Sequence, residues 1–320
     1  MRILGFRPIN PDVYRPKVIA IWGLGLIGRA IYKVLRSFNL TEKEYSFLWQ
    51  GEKGQILSAE LIRQAIHRKV LAVSDPKTPD IVFIWSAGHK GFSATQEDIE
   101  MEMTTFNIIL GLAEQLRNDL NGIQVEFHLI SSAGGLFEGC QYVEEETLPC
   151  PCRPYGYLKL EQERALLNTA GLIPYIYRPS SVYGLFRGTE RRSLLAVLVY
   201  QGLLRQVIQV SGALTTLRDY IHVRDVAQYL AGKVVFSDPA RDSSGIFWLI
   251  SGKPVSIFEA KQLVERVLRH RLYLALQHDP ENRRNITFAP SLCPPAFAST
   301  ALHTGVSLIY QGWLASGAQD

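Results

Sequence analysis

Apolar positions along this chain alternate between two spacings, and their order predicts the fold. Lys17–Trp22 (KVIAIW) is a short apolar run that stops at a glycine turn. Ile27, Ile31, Val34, Leu35 and Phe38 then recur at helical spacing, so strand, tight turn and helix follow one another. Tyr45–Trp49 predicts a second strand and Ser58–Arg68 a helix. Asp80–Trp85 (DIVFIW) is continuously apolar, as in a strand buried on both faces. Ile99–Leu116 reads as helix, Val125–Ile130 (VEFHLI) as strand, Arg153–Leu167 as helix and Ile173–Tyr177 as strand. This alternation predicts the α/β class, with a doubly wound parallel sheet covered by helices on both faces.

The rhythm weakens after Arg178-Pro179. The expected organisation is an N-terminal extension lying over the fold (1–16), with prolines at 8, 11 and 16. A dinucleotide-binding domain follows over 17–179 and is rejoined by residues 214–252, because Gly245–Ser251 reads as a strand returning to the sheet. A smaller C-terminal substrate-binding domain takes 180–213 and 253–320. The stretch 193–210 (SLLAVLVYQGLLRQVIQV) is interrupted by Gln201, Gly202, Arg205 and Gln206 and predicts a buried or half-buried helix.

Composition changes this picture little. At 320 residues the chain is long enough for one large domain or a large and a small one. Its net charge of +4 comes from scattered Lys and Arg, whereas a nucleic-acid binder clusters them, so no nucleic-acid partner is expected. No apolar run reaches the roughly 18 residues of a membrane span, and the N-terminus has no secretory pattern. Cys140, Cys150, Cys152 and Cys293 form no CxxC pair, which points to structural thiols, no metal, and a reducing cytoplasm.

Chemistry enters at Gly23-Leu-Gly25-Leu-Ile-Gly28. The motif follows a strand and opens a helix, the context a dinucleotide site requires. Gly23 would allow the tight turn, Gly25 the approach of a pyrophosphate and Gly28 close helix–strand packing. Leu26 and Ile27 lie in the same turn, whose helix N-terminus favours anions. An acidic ribose partner is harder to place: Glu52 is one candidate, and Lys53 could instead meet a 2′-phosphate, so NAD and NADP both stay open. Downstream, Tyr155 and Lys159 are four residues apart on one helix and can address one ligand. An ammonium beside a phenol favours the phenolate, which can exchange a proton with an alcohol or carbonyl. Ser131 and Ser132 follow VEFHLI at the carboxyl end of a central strand, where ligands of open parallel sheets bind.

Taken together, these segments resemble the extended short-chain dehydrogenases/reductases, in the NAD-dependent epimerase/dehydratase branch that includes UDP-sugar 4-epimerases and related reductases. SSAGGLFEG (131–139) resembles the family's serine segment and RPYGYLKLEQE (153–163) its active-site helix. YRPSSVYG (177–184) resembles the strand end flanking the nicotinamide, LRDYIHVRDVAQYLA (217–231) a late segment, and GIFWLISGKPVSIFEA (245–260) the entry to the last helices. The resemblance implies a Rossmann-like fold, with Tyr155 as acid/base and Lys159 holding the nicotinamide ribose. It implies that Ser132, or failing it Ser131, binds the reacting oxygen. It further implies cofactor contacts from Ser86, Ala87, Gly88, Arg178 and Pro179, and substrate contacts from Ser181 and Arg218, the arginine matching a diphosphate-binding position. A surface ion pair with Asp219 is the competing reading of Arg218. A homodimer through helices including Ile99–Leu116 and Arg153–Leu167 is also implied.

Several positions depart from the family pattern. Trp22 replaces its first glycine, which is expected to alter the turn near the pyrophosphate. In one register the active serine aligns with Ala133. The Asp-Glu pair of the dehydratases is missing, Ser181 stands where many members have Asn, and Glu102 stands where Asn is frequent. The leading functional expectation is a nucleoside-diphosphate-sugar epimerase working by transient oxidation at C4 with NAD or NADP. The alternatives are an NADPH-dependent 4-keto-sugar-nucleotide reductase, and a non-catalytic NAD(P)-binding sensor or structural protein.

Overall fold

The computed structural model describes residues 1–6, 15–38, 41–47, 51–73, 79–88, 91–120, 122–185, 192–236, 244–295 and 297–317. In chain order the first elements are β1 (Arg2–Phe6), β2 (Lys17–Trp22), α1 (Leu26–Arg36), β3 (Thr41–Glu44), α2 (Glu52–Val73), β4 (Asp80–Trp85), α3 (Gln96–Asp119) and β5 (Val125–Ile130). The short helix α4 (Ala133–Leu136) is followed by α5 (Pro154–Asn168), β6 (Ile173–Pro179), β7 (Ser181–Tyr183), α6 (Leu194–Leu203), β8 (Ile208–Ser211) and β9 (Leu217–His222). The chain continues through α7 (Val223–Phe236), β10 (Gly245–Leu249), β11 (Pro254–Ser256), α8 (Ile257–Leu268), β12 (Leu274–Gln277) and α9 (Leu302–Gly317). Two compact units result. The first comprises Met1–Ser131, Arg153–Tyr177 and Ala227–Phe247, the second Ser132–Cys152, Arg178–Val226 and Trp248–Asp320.

The main sheet has the strand order β10-β6-β5-β4-β2-β1-β3 among the described residues. The β2–β4, β4–β5 and β5–β6 pairs are parallel. All residues of β2, β4 and β5 are buried, which explains why they are mostly apolar. Helices α2 and α3 cover the same core through Ile62, Ile66, Phe106, Ile109 and Leu116. A capping box at Thr95 and Asp98 starts α3. The returning strand expected over Gly245–Ser251 is β10, next to β6.

Two expectations about the first half need correction. Residues 2–6 do not lie over the fold as an extension; they form β1, antiparallel to β2 with Arg2 opposite Ile21. Ile3, Leu4 and Phe6 are buried there, and the pairing satisfies the β2 backbone edge. The strand expected at Tyr45–Trp49 lies earlier, at Thr41–Glu44, and pairs with β1. Leu48, Trp49 and Gln50 lie outside the described residues. Because β1 occupies the place beside β2, the strand whose end would carry a ribose-binding acid is one position further out. Glu52 and Lys53 are exposed in the first turn of α2.

The second unit holds a three-stranded sheet, β11-β9-β7, and a two-stranded one, β12-β8. Its core joins Leu195, Leu198, Val199, Ile208, Tyr220, Val264, Val306 and Ile309 from α6, α8, α9 and the strands. The helix expected over 193–210 stops at Leu203; Arg205 takes a left-handed conformation (φ 54°), and Ile208–Ser211 becomes β8. The β-branched Val207, Ile208 and Val210 favour strand once the helix is broken.

A polar ladder crosses the apolar core of the first unit. Lys17 Nζ donates to Glu126 Oε1 at 2.6 Å, and both side chains are almost fully buried. The other Glu126 oxygen meets His128 Nε2 at 3.1 Å, and His128 Nδ1 meets the Tyr177 hydroxyl at 2.9 Å. Burial depresses the His128 pKa, so the ring is neutral. Its Nε2–H therefore donates to the carboxylate while Nδ1 accepts from the phenol. Burial would raise the Glu126 carboxyl, but the hydrogen bond from His128 and the charge of Lys17 outweigh it and hold it below the usual range.

Removing one partner strands a buried charge. Glu126→Gln is expected to cost about 3–5 kcal/mol in urea unfolding, and the double change Lys17→Met/Glu126→Leu less. Asp80 gives a pH signature. Burial, partly opposed by Lys17 and Arg15, lifts its carboxyl from 3.8 to about 6. The folded state then keeps a proton that the unfolded chain has lost, so this contribution is complete below pH 3.8 and is lost as pH rises through about 6. Over that window the wild-type urea midpoint is expected to fall relative to Asp80→Asn; parallel curves would refute the assignment.

Candidate active site

The glycine turn after β2 is built by contacts too close for side chains. Gly23 has φ +82°, and a Cβ there would lie 2.3 Å from the Ala87 nitrogen. A Cβ on Gly28 would fall 1.9 Å from the Gly23 carbonyl oxygen and 2.4 Å from Ser86 Oγ. Ser86 Oγ donates to the carbonyls of Gly23 (2.5 Å) and Trp22 (2.9 Å), and Ser86 N to Trp22 O at 2.9 Å. The loop after β4 is thereby fastened to the turn after β2.

Gly25 differs. It is the N-cap of α1 in an extended conformation, and nothing lies within 4 Å of the position its Cβ would take. No side chain caps α1, and its first turn, which includes Leu26, Ile27 and Gly28, carries no acid. Open space in front of uncapped N–H groups fits a dinucleotide pyrophosphate. Trp22 does not occupy that space. Its fully buried ring is stacked on Phe83 in the core at 5.0 Å, so the departure from the family glycine changes packing behind the turn.

Helix α5 begins with Pro154 at its first turn and carries Tyr155 and Lys159. Lys159 Nζ stands 5.7 Å from the Tyr155 ring centre. The Tyr155 ring meets Phe92 edge-on at 5.3 Å, and the Arg153 guanidinium lies over Phe92 at 4.6 Å. Lys159 is buried and donates to Gln162 Oε1 at 2.9 Å and to Glu102 Oε1 at 3.3 Å. A Cβ on Gly88 would be 3.9 Å from Lys159 Nζ, so the Ser86–Gly88 loop joins the glycine turn to the lysine within the first unit. In the sequence Glu102 stands out only as a departure from the family pattern, because its partner lies on another helix. Gln162 was missed, although it lies three residues from Lys159 and so on the same helix face.

The two serines have different surroundings. Ser131, at the end of β5, donates to Glu163 Oε1 on α5 at 2.5 Å, with both side chains buried. This ties strand to helix. Ser132 belongs to the second unit, where its Oγ caps α4 by accepting from Gly135 N at 3.0 Å. Ala133 is fully buried in the same short helix.

The second unit holds the remaining candidates. Arg178 is buried, with its guanidinium over the rings of Trp248 (5.0 Å) and Phe137 (5.6 Å). Pro179 ends β6, and Ser181 opens β7, partly exposed. Arg218 donates to the carbonyls of Leu217 (2.9 Å), Asn282 (3.0 Å) and Arg284. The adjacent Asp219 is buried and accepts from Ser180 Oγ, Ser251 N, Ser251 Oγ and Lys253 N. These bonds make Asp219 a structural knot within the unit. The Cys140 thiol is pushed up to about 12 by burial and by its hydrogen bond to Cys150. Among the described residues no three His, Cys, Asp or Glu side chains are placed to hold a metal, and no helix is long and apolar enough to cross a membrane.

Comparison with known proteins places this geometry. No curated protein sequence matches the chain. The UDP-glucose 4-epimerase of Thermus thermophilus, solved with NAD, is similar with a TM-score of 0.73 and 17% identity, over 94% of this chain and 99% of that one. The UDP-glucuronic acid 4-epimerase of Bacillus cereus, solved with UDP-glucuronic acid and NAD, matches with a TM-score of 0.67 and 18% identity, over 92% and 98%. The protein RMD of Pseudomonas aeruginosa, solved with NADPH, matches with a TM-score of 0.66 and 16% identity, over 95% and 100%. The Rossmann-like fold is thus common to all three, and the expectation of NAD or NADP agrees with the cofactors they hold. The sequence profile of the NAD-dependent epimerase/dehydratase family matches residues 19–232, well over half the chain. With the glycine turn, the Tyr155/Lys159 helix and the parallel sheet in place, the chain belongs to the NAD-dependent epimerase/dehydratase family.

Proposed function

We propose that the protein is an NAD(P)-dependent epimerase of nucleoside-diphosphate sugars that works by transient oxidation at C4. The observation that carries this reading is the Tyr155/Lys159 pair, one helical turn apart and next to the Ser86–Gly88 loop and its glycine turn. Gly25 and the uncapped start of α1 fit the cofactor's pyrophosphate. A nicotinamide cofactor, when bound, would supply the hydride acceptor and donor.

The chain's own residues handle the proton and the orientation. Tyr155 takes the hydroxyl proton as C4 is oxidised and gives it back when the alcohol re-forms. Lys159 holds the nicotinamide ribose and keeps its ammonium beside the Tyr155 ring. Ser132 donates a hydrogen bond to the reacting oxygen; Ser131 is the weaker candidate because its hydroxyl is engaged with Glu163. Arg218, its fork ordered by backbone carbonyls, binds the diphosphate, and Ser181 contacts the sugar nucleotide.

Turnover is tested by incubating the protein with UDP-hexoses and following epimer interconversion by NMR. Tyr155→Phe is expected to lower kcat by about 10²–10⁴. Unchanged turnover would refute the acid/base role, and stoichiometric NADPH consumption on a keto-sugar nucleotide would replace epimerase by reductase. A second variant separates binding from folding. Gly25→Val is expected to change stability by less than about 1 kcal/mol, because space is open at Cβ. It should weaken NAD(P) binding more than tenfold (roughly 1.4 kcal/mol) by blocking backbone approach. Undiminished affinity would remove Gly25 from the site.

A further inference from the structure

Tyrosine–lysine chemistry needs an ammonium near a phenol; it does not need a carboxylate on that ammonium. Here one is present. Glu102, on α3, places Oε1 3.3 Å from Lys159 Nζ and 3.0 Å from Nε2 of Gln162. Gln162 in turn accepts from Lys159 at 2.9 Å, so the three side chains close a triangle. Only 17% of the Glu102 side chain and 3% of the Lys159 side chain are exposed. A Cβ on Gly88 would stand 3.9 Å from both Glu102 oxygens and from Nζ, which puts the pair against the backbone of the Ser86–Gly88 loop.

An ammonium and a carboxylate in contact present little net charge to a ligand. The two redox forms of a nicotinamide differ in this respect: the oxidised ring is a cation and the reduced ring is neutral. In a shielded site an unbalanced lysine would disfavour the cation, and a balanced one would not. We propose that Glu102 is a positioning residue that neutralises Lys159 and biases the site toward the oxidised over the reduced nicotinamide. The inference rests on the reading that Lys159 meets the nicotinamide ribose. It extends that reading by giving a role to Glu102, where Asn is frequent in the family. An epimerase begins and ends each cycle with the oxidised cofactor, so the bias holds the resting enzyme in its working form.

The test is a binding ratio and requires no turnover. Dissociation constants of NAD and NADH, and of NADP and NADPH, are measured by calorimetry on nucleotide-free protein. Glu102→Gln is expected to raise the oxidised-to-reduced Kd ratio about fivefold. Glu102→Asn, a smaller neutral residue, must move the ratio in the same direction, and Glu102→Asp must leave it within about twofold of wild type. Adding Lys159→Gln to Glu102→Gln removes the unbalanced charge and is expected to return the ratio toward wild type, which a merely structural role for Glu102 does not foresee. Nucleotides that bind with an unchanged ratio in both neutral variants would overturn the inference and leave the cofactor reading standing. Failure of every nucleotide to bind the wild type would overturn both.

Discussion

The cofactor half of this protein depends on a backbone-to-backbone approach that tolerates no side chain. The turn after β2, the loop after β4 and the first turn of α1 converge at Gly23, Ser86, Ala87 and Gly28. A methyl group at Gly23 or Gly28 would lie within 2.5 Å of backbone or hydroxyl atoms. The Ser86 hydroxyl bridges two carbonyls of the turn and so sets the course of its own loop. That course brings Gly88 to the Glu102–Lys159 pair. The arrangement on α5 is thus linked to the turn after β2 by a short run of backbone.

Around that approach, the interior combines apolar packing with buried, hydrogen-bonded charge. Trp22, Phe83 and Phe127 stack across neighbouring parallel strands. The Lys17–Glu126–His128–Tyr177 ladder also crosses strands, linking β2, β5 and β6. Buried ions tolerate few alternative arrangements because each must keep its partner. In the second unit Asp219 plays a comparable part. It gathers a serine after β6 with backbone and hydroxyl groups after β10.

The glycine turn, the Tyr155/Lys159 helix and strands β2, β4 and β5 were legible because each is specified locally. A parallel strand buried on both faces is mostly apolar, and a turn crossing at van der Waals distance must be glycine. Local pattern misleads where partners are distant. The RILGF segment is apolar but short, and only the unpaired edge of β2 makes it a strand. The 193–210 stretch is apolar enough for a helix, yet its end, from Ile208 on, pairs with β12.

The linear sequence by itself determined the family, the α/β order and the identity of the chemical groups. The order of elements follows from periodicity and the chemical groups from spacing along one chain, while the family follows from the likeness of whole motifs to those of known members. Only the tertiary structure decided which groups those residues serve. It turned Trp22 into the core, gave Ser131 to Glu163, surrounded Asp219 with its own set of donors, and set Glu102 against Lys159. Each of these depends on residues brought together from separate elements, and contacts between elements leave no period in a sequence.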